Sequence, residues 1–377
     1  MPLVTRRLTL VDGAELTQEA VRAALEGTAP LAVLPSGPRA VVDAARAVIR
    51  PEEPLEPGAD LVVVTSGSTG GGRAVLLPAD AVRASATATH ARLGGPGSWL
   101  LALPVSAIAG LQVLCRSVVA GTRPTRLEAG EPLTAAVARM PEDRRYTALV
   151  PTQLRRFLDA EPAALRAFDA VLVGGAATDP GLLARAHEEG VAVVTTYGMS
   201  ETAGGCVYDG VPLDGVTVRI SEGIEVTGPT LALGYRRDPD ATAAAFADGW
   251  FHTRDAGSLA PDGRLTVHGR LDDMVISGGV NVSPAAVEAV LREHDAVADA
   301  VVFGRPDPEW GQRVVAAVVA ASGAVPELGD LRAFVAARLG APAAPRELHL
   351  VDAVPLLHTG KPDRRAVAGS VDIEVSS

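Results

Sequence analysis

The sequence contains few aromatic residues and few cysteines. Phe, Trp and Tyr together make up 3% of its 377 residues, so Ala, Val and Leu must fill most of the core. Cys115 and Cys206 are the only cysteines, and two thiols so far apart form neither a metal-binding motif nor a disulfide framework. Because disulfide frameworks are typical of oxidising compartments, we expect a cytoplasmic protein.

Net positive charge and long apolar runs are also lacking. A formal net charge of −11 argues against a nucleic-acid-binding surface, which needs clustered Lys and Arg to displace counterions from phosphates. A few oriented amides and cations can still bind a small anion locally. Apolar runs such as Val314–Ala321 are much shorter than the ~20 residues of a membrane span, and none follows Arg6 and Arg7. Neither a membrane span nor a secretory signal is predicted.

Short apolar segments alternate with Ala-rich helical segments up to about residue 195, which predicts parallel βαβ units and an α/β fold. The predicted strands are Leu61–Val64, Trp99–Leu103, Tyr146–Val150, Ala170–Val173 and Val191–Thr195, and the predicted helices are Ala81–Leu93, Gln153–Asp159 and Leu182–Glu189. From about Val216, short segments such as Val216–Ile220, Gly223–Val226, Leu259–Ala260 and Leu265–Val267 predict a small β subdomain.

A second domain is predicted after Gly269. We place the boundary near Arg270, which gives a large N-terminal domain (1–269) and a small α+β C-terminal domain (270–377). The C-terminal elements are predicted at Met274–Ile276, Pro284–Glu293, Ala298–Phe303, Val314–Val319 and Leu328–Leu339. The tail after Val367 is expected to be frayed.

Thr65–Arg73 follows an apolar strand and combines hydroxyl residues with four glycines. Glycines allow backbone N–H groups to approach phosphate oxygens, and hydroxyls donate further hydrogen bonds. By itself such a stretch could equally be a flexible surface loop. Gly67 and Gly72 also have Walker A spacing, but Arg73 and Ala74 stand where that motif needs Lys and Ser/Thr.

Together with motifs that follow in order, this loop resembles the phosphate loop of the adenylate-forming superfamily of acyl-CoA synthetases, luciferases and peptide-synthetase adenylation domains. The resemblance extends from about Leu61 to Arg365. The other matching segments are Gly174–Ala176 (a second glycine turn), Thr196–Thr202 (YGxTE), Gly249–Asp255 (GW(Y/F)xTGD), Gly269–Asp273 (GRxD), Ser277–Asn281 (the pantetheine-tunnel loop) and His358–Arg364 (TxxGKxxR).

The resemblance implies an ATP site with defined roles. Tyr197 offers a flat face for adenine, Asp255 accepts from the ribose hydroxyls, and Arg270 reaches the ribose. Glu201 supplies a carboxylate for Mg²⁺, which prefers one or two carboxylates plus substrate phosphates. The full set of implied ATP-binding residues is Thr65, Ser66, Gly67, Ser68, Thr69, Gly70, Gly174, Gly175, Ala176, Tyr197, Gly198, Ser200, Asp255 and Arg270. Taken singly, Tyr197 could be a core aromatic and Glu201 a solvated acid.

The implied catalytic residues are Lys361, Arg73 and Glu201. The Lys361 ammonium would lie between the carboxylate and the α-phosphate, where losing one preorganised charge costs roughly 10²–10³ in rate. Asp272 would be the hinge of a mobile C-terminal domain, and Gly278 and Gly279 would line the tunnel for coenzyme A. Without the resemblance, Lys361 would be an ordinary surface lysine.

Three residues depart from the family motifs. Arg73 replaces the usual phosphate-loop Lys, Arg254 replaces a Gly, and Ala107 replaces the His of LPxxHxxGL. The position of Ala107 borders the acyl pocket in many relatives, so this change concerns the substrate. The predicted pocket residues are Ser106, Ala107, Leu111 and Met199.

The implied reaction joins a small carboxylate to coenzyme A through an acyl-adenylate, with ATP and Mg²⁺. Trp99–Ser117 most resembles the o-succinylbenzoate–CoA ligase branch, which predicts 2-succinylbenzoate as the acid and a role in menaquinone biosynthesis. A ligase for another aryl or fatty acid and a silent nucleotide-binding paralogue are the alternatives. Homo-oligomerisation is left open.

Overall fold

The computed structural model describes residues 6–65, 72–355 and 363–374. The helices are α1 (Gln18–Leu25), α2 (Arg39–Ile49), α3 (Ala79–Arg92), α4 (Ile108–Ala120), α5 (Leu133–Ala138), α6 (Pro151–Ala160), α7 (Pro162–Leu165), α8 (Pro180–Glu188), α9 (Pro239–Ala245), α10 (Pro284–Arg292), α11 (Leu328–Leu339) and α12 (Arg364–Glu374). The strands are β1 (Thr9–Asp12), β2 (Leu31–Leu34), β3 (Leu61–Thr65), β4 (Arg73–Leu77), β5 (Ser98–Leu101), β6 (Thr125–Arg126), β7 (Arg145–Leu149), β8 (Ala170–Val173), β9 (Val193–Met199), β10 (Gly204–Tyr208), β11 (Val211–Pro212), β12 (Thr217–Ile220), β13 (Ile224–Thr227), β14 (Gly234–Tyr235), β15 (Phe246–Ala247), β16 (Trp250–His252), β17 (Asp255–Leu259), β18 (Leu265–Arg270), β19 (Val275–Ser277), β20 (Val280–Val282), β21 (Val297–Asp307), β22 (Gly311–Ala320) and β23 (Glu347–Leu350).

The predicted βαβ units form a seven-stranded sheet in the order β11-β10-β9-β8-β7-β5-β6. Strands β6, β5, β7, β8 and β9 are parallel, which confirms the α/β prediction. Strand β10 is antiparallel to β9, and β11 at the sheet edge is antiparallel to β10. All four residues of β8 are buried, as expected for a parallel strand covered by helices on both faces. Parallel pairing also brings the carboxyl ends of β8 and β9 to the same sheet edge.

A second sheet, in the order β1-β2-β3-β4-β14, carries the predicted phosphate loop between β3 and β4. These two strands are antiparallel, and Thr65 is directly opposite Arg73. Strand β14 pairs with β4, with Tyr235 opposite Val75, although the two residues are far apart in sequence. This pairing brings Tyr235 close to Arg73.

The predicted β subdomain is a four-stranded sheet, β12-β13-β16-β15, next to the hairpin β17–β18. The strand predicted at Leu259–Ala260 is the end of a longer strand, because β17 begins at Asp255, opposite Arg270, and ends at Leu259. The sequence did not suggest a strand at Gly257, but a Cβ there would press against Ile224, so the close packing requires glycine.

The C-terminal region forms its own sheet, β20-β19-β22-β21 with β23 beside β22, and α10 and α11 share its core. A 3-10 turn, Leu271–Asp273, connects it to β18. The domain boundary at 269/270 stays a prediction. Contrary to the expected frayed tail, α12 continues to Glu374, because Val367 is buried against Val301. Among the described residues no helix has the length and apolar character needed to cross a membrane.

Candidate active site

The base of the predicted phosphate loop is a tight antiparallel pair. The backbone N–H of Arg73 donates to Thr65 Oγ1 at 3.3 Å, which closes the loop at its neck. Gly72 is required there, since a Cβ would clash with the Thr65 carbonyl oxygen. The predicted phosphate ligands Ser66, Gly67, Ser68, Thr69 and Gly70 lie outside the described residues.

The second glycine turn lies beside the YGMSET segment, as the parallel pairing of β8 and β9 requires. Val173 is opposite Thr195, so Gly174 follows β8 next to Thr196, whose side chain would clash with any Cβ on Gly174. Gly175 has φ +81° and, like Ala176, is exposed. These two residues form an open surface at the strand end, where the sequence predicted adenine to bind.

A strained turn presents Ser200 and Glu201. They belong to a 3-10 turn that ends at Ala203, which has φ +50°. Gly198, on the preceding strand, approaches Gly204 so closely that a Cβ would clash with the Gly204 carbonyl oxygen. The backbone at this turn is therefore fixed by close packing.

Two buried side chains, which sequence reasoning missed, hold this turn in place. The Ala203 carbonyl oxygen accepts from Ser85 Oγ at 3.0 Å and from Gln112 Nε2 at 2.6 Å. Both donors lie on core helices and are fully buried. No signal in the sequence indicated them, because the same helices bury other polar residues such as Thr89 and Ser117.

Glu201 lies in a cluster with two arginines and a tyrosine. The Tyr235 hydroxyl donates to Glu201 Oε1 at 2.9 Å, and the Arg73 guanidinium carbon lies 5.1 Å from the centre of the Tyr235 ring. Burial raises the pKa of Glu201, while the Tyr235 hydrogen bond and the nearby Arg270 and Arg73 oppose that rise. The structure thus brings together the two predicted catalytic residues that it describes, through a tyrosine that no motif indicated.

The predicted adenine and ribose residues are joined by a hydrogen bond. The Tyr197 hydroxyl donates to Asp255 Oδ2 at 2.8 Å, and Arg270 Nε lies 3.5 Å from Asp255 Oδ1. Both residues are mostly buried, and burial followed by the Asp255 charge raises the pKa of Tyr197. Tyr197 therefore remains a neutral donor that fixes the carboxylate predicted to bind the ribose.

The predicted hinge is held by two arginines. Asp272 Oδ1 lies 2.8 Å from Arg254 Nη2, and Asp272 Oδ2 lies 3.7 Å from Arg270 Nη2. The Leu271 N–H also donates to the Arg254 carbonyl oxygen at 2.8 Å. Arg254, which replaces a family Gly, therefore contacts the hinge through its side chain and its backbone.

Gly278 and Gly279, the predicted coenzyme A tunnel residues, form the two-residue turn of the hairpin β19–β20. Both have positive φ, +60° and +79°, as a tight hairpin turn requires. The Gly278 N–H donates to the Trp310 carbonyl oxygen at 2.9 Å. This turn thus packs on its own sheet, and the structure shows no contact that links it to the ATP-site residues it describes.

The predicted acyl pocket lies around the start of α4. Ala107 is exposed and precedes the helix, Ser106 is half-buried, and Leu111 is buried in the main core at 1% exposure. Gly204 packs against Gln112 of the same helix, so the helix start adjoins the turn that carries Met199. These positions are compatible with one pocket, while the buried Leu111 side chain does not face an open cleft.

Lys361 lies outside the described residues, but the backbone on either side of it is fixed. The Asp363 N–H donates to the Pro355 carbonyl oxygen at 2.8 Å. Arg364 Nη2 donates to both carboxylate oxygens of the buried Glu288, at 2.7 and 2.8 Å. The described residues on the two sides, Pro355 and Asp363, therefore lie next to each other, and Arg364 is paired with α10 of the C-terminal region.

Within the described ranges no three acidic, His or Cys side chains come close enough to form a complete metal site. Glu201 offers a buried carboxylate beside Arg73 and Arg270, whereas Asp255 and Asp238 are paired with these arginines at 3.5 and 3.8 Å. This donor set suits a Mg²⁺ ion that receives most of its ligands from nucleotide phosphates and water.

Family models match two parts of the chain. The model for AMP-binding enzymes matches residues 4–231, and that for the C-terminal domain of AMP-binding enzymes matches residues 286–361. The chain belongs to the AMP-binding enzyme family. This membership confirms the resemblance to the adenylate-forming superfamily.

Two curated relatives are both named as 2-succinylbenzoate–CoA ligases. A probable 2-succinylbenzoate–CoA ligase of Mycobacterium tuberculosis is 50% identical over 342 residues, which cover 86% of this chain and 88% of the relative. A 2-succinylbenzoate–CoA ligase of Geobacillus kaustophilus is 36% identical over 78% of this chain, which spans 66% of that longer protein.

A solved structure has the same two-part fold. The o-succinylbenzoate CoA synthetase of Bacillus subtilis, in complex with its acyl-adenylate intermediate, superposes with a TM-score of 0.77 at 26% identity, covering 96% of this chain and 82% of that one. The same enzyme in complex with ATP and a magnesium ion gives a TM-score of 0.76 at 25% identity, with 95% and 83% covered. The expected large N-terminal and small C-terminal parts are confirmed.

Proposed function

We propose that the chain is an ATP-dependent acid–CoA ligase that activates 2-succinylbenzoate as an acyl-adenylate and transfers it to coenzyme A. The observation that carries the proposal is the convergence of Arg73, Glu201 and Arg270 on one cluster beside the Tyr197–Asp255 pair. The names of the relatives support the choice of acid.

In the first half-reaction a carboxylate oxygen of the acid attacks the α-phosphorus of ATP, and pyrophosphate leaves. Catalysis of this step rests mainly on positioning and charge stabilisation. Asp255 would orient the ribose, and Arg73 would stabilise phosphate charge from the neck of the loop. Glu201 would hold Mg²⁺, which neutralises charge on the phosphates when bound.

The second half-reaction exchanges AMP for coenzyme A. The thiol sulfur attacks the acyl carbon, AMP leaves with the bonding electrons, and the thiol proton passes to solvent. We infer that the C-terminal domain turns about Asp272 between the two steps, because a single short turn joins it to β18. Rotation of this kind rebuilds one site for two tasks.

The composition of the chain supports the role of Lys361. The 34 basic residues include one lysine, Lys361, and every other position that carries a permanent cation has arginine. A lysine is a compact point charge on a flexible stem, whereas arginine is a planar fork, so the two are not interchangeable between reacting groups. The single lysine of this chain lies within the TxxGKxxR motif, which supports a role for Lys361 that arginine cannot fill.

The acid itself carries a second carboxylate, which calls for a cation near the pocket. Arg116 is 3% exposed and has no carboxylate within ion-pair distance among the described residues. Its Nη2 donates to the Tyr208 hydroxyl at 3.2 Å, and its buried Nε–H lacks a partner in the described part of the chain. The Tyr208 ring lies against Gly205, which is opposite Gly198 on the neighbouring strand. The guanidinium also lies over the Trp99 ring at 4.8 Å, but it has no described carboxylate partner. A buried cation without a carboxylate favours a dianionic acid over a fatty acid.

The test is pyrophosphate release with Mg·ATP and coenzyme A across 2-succinylbenzoate, benzoates and fatty acids. We expect turnover with 2-succinylbenzoate, and a loss of roughly 10²–10³ in Lys361→Ala. Only Lys361 and the N-terminus carry amines. An amine-reactive reagent should therefore abolish the first half-reaction, and bound ATP should protect the enzyme from this inactivation. Absence of pyrophosphate with every acid would contradict the proposal.

Ala107 favours a second candidate within the same class. The exposed methyl group leaves room where the family motif has a His, so the pocket could admit another aryl acid. Turnover of a benzoate in preference to 2-succinylbenzoate in the same panel would establish this alternative. Ala107→His would then be expected to shift the preference back.

A further inference from the structure

Arg254 lies on the large domain immediately before β17, and its side chain extends to the turn that joins the two domains. Its Nη2 is 2.8 Å from Asp272 Oδ1, and the Arg254 side chain is 65% exposed, so packing does not dictate its direction. The other carboxylate oxygen of Asp272 faces Arg270 at 3.7 Å. The hinge carboxylate therefore has an arginine on each side, Arg254 just before β17 and Arg270 at the end of β18.

A chain of contacts connects the hinge to the nucleotide residues. It runs from Arg254 through Asp272 and Arg270 to Asp255, and ends at Tyr197. Each link joins opposite charges or a donor to a carboxylate. Arg270 is thus shared between Asp255, which is proposed to bind the ribose, and the hinge carboxylate of Asp272.

Turning the C-terminal domain must break the Arg254 contact. The turn Leu271–Asp273 is the connection between β18 and β19, so the backbone at Asp272 has to change direction while Arg254 stays with the large domain. In this structure the hairpin β19–β20 is exposed, with Ile276 at 54% and Val280 at 46% exposure. The hairpin that carries Gly278 and Gly279 is therefore not docked on the large domain.

We propose that Arg254 is a positioning residue that holds Asp272, and with it the C-terminal domain, in the orientation that precedes docking of the β19–β20 hairpin. A glycine at this position, as in the family motif, carries no such charge. The inference rests on the proposed two-step reaction. Because the ion pair is exposed, we expect it to bias the two orientations by about twofold to fivefold.

The experiment compares the half-reactions in the wild type, Arg254→Gln, Arg254→Lys and a control, Arg264→Gln. Arg264 forms an exposed pair with Asp262 at the far end of the same hairpin and also donates to the Asp209 carbonyl oxygen, so the control removes one exposed cation away from the hinge. Pyrophosphate release reports the first step, and transfer from isolated acyl-adenylate to coenzyme A reports the second.

In Arg254→Gln we expect the second step to be about twofold to fivefold faster relative to the first, with Arg254→Lys close to wild type. Raising the salt to 1 M, where the Debye length is about 3 Å, should speed the second step of the wild type and not of Arg254→Gln. Unchanged ratios of the two steps in Arg254→Gln would overturn the inference.

Hydrogen exchange provides a readout that needs no turnover. The Leu271 amide donates to the Arg254 carbonyl oxygen, so a released hinge should exchange this amide faster in Arg254→Gln than in Arg264→Gln. Equal exchange in the two variants would contradict the proposed role of the Arg254–Asp272 ion pair, even if the protein proved inactive with every acid. An inactive protein that shows the expected difference in exchange would instead contradict only the proposed function.

Discussion

The Tyr235 hydroxyl donates a hydrogen bond to Glu201 Oε1 at 2.9 Å, although the two residues are 34 positions apart. Tyr235 also carries the Arg73 guanidinium on its ring. One tyrosine thus fixes both the carboxylate proposed to bind Mg²⁺ and the cation at the neck of the phosphate loop.

Tyr235→Phe should weaken Mg²⁺ binding. The ring that supports Arg73 is retained, but Glu201 loses a donor, and a hydrogen bond to a charged group contributes about 1.5–3 kcal/mol. We expect the Mg²⁺ concentration for half-maximal pyrophosphate release to rise about 10-fold to 100-fold, measured by Mg²⁺ titration at saturating ATP. Unchanged Mg²⁺ dependence would show that the hydrogen bond serves the fold alone.

On acidification, the first half-reaction should lose activity at a higher pH than it would if Glu201 had an ordinary pKa. Burial raises the pKa of Glu201 above 4.5, so its carboxylate takes up a proton at a higher pH and loses its affinity for Mg²⁺. The acidic limb of the pH–rate profile should therefore lie above pH 4.5 and move further up in Tyr235→Phe. Because the folded state holds this proton more tightly than the unfolded chain, the same group lowers stability as pH rises through that window.

His90 should make the protein less stable in mild acid. Burial, aided by the nearby Arg116 charge, lowers the pKa of His90 to about 4 from an ordinary 6.5, and its Nε2 accepts from Trp99 Nε1 at 3.1 Å. Between these two pKa values the unfolded chain binds a proton that the folded protein does not, so stability falls as pH falls through this window. The free energy of unfolding should therefore fall as the pH drops from 6.5 towards 4.

His90→Gln provides the matched control, since its amide oxygen can accept from Trp99 without titrating. Denaturant unfolding at pH 7, 6, 5 and 4.5 should show a smaller loss of stability in the variant than in the wild type. Parallel curves for the two proteins would show that folding does not lower the pKa of His90.

Arg116→Met should show whether Arg116 binds the second, non-reacting carboxylate of 2-succinylbenzoate. Methionine approximates the length of the arginine stem and removes a buried charge that no described carboxylate neutralises, so we expect the fold to be retained or stabilised. The KM for 2-succinylbenzoate should rise about 10-fold to 100-fold, as for loss of a hydrogen bond to a charged group. Benzoate, with one carboxylate, should be unaffected; an equal effect on both acids would place Arg116 in a purely structural role.

The sequence by itself determined the order of the motifs and most of the regular elements. Ala170–Val173 and Leu328–Leu339 were predicted with the bounds observed, because each is a clear apolar or amphipathic segment between breaking residues. The roles predicted for Asp255, Glu201 and Lys361 rest on motif resemblance and stay predictions. Periodicity failed at β17, where pairing with β18 outweighs the low strand propensity of Gly257.

Only the tertiary structure decided which residues meet. Tyr235 reaches Glu201 because β14 pairs with β4, and Arg254 reaches Asp272 because β17 and β18 form a hairpin that returns the chain to the same edge. Backbone hydrogen bonds between strands distant in sequence set these registers, and no local pattern encodes them. The chain's residues specified the chemistry, whereas strand pairing determined the partners that tune the pKa of Glu201 and restrain the hinge.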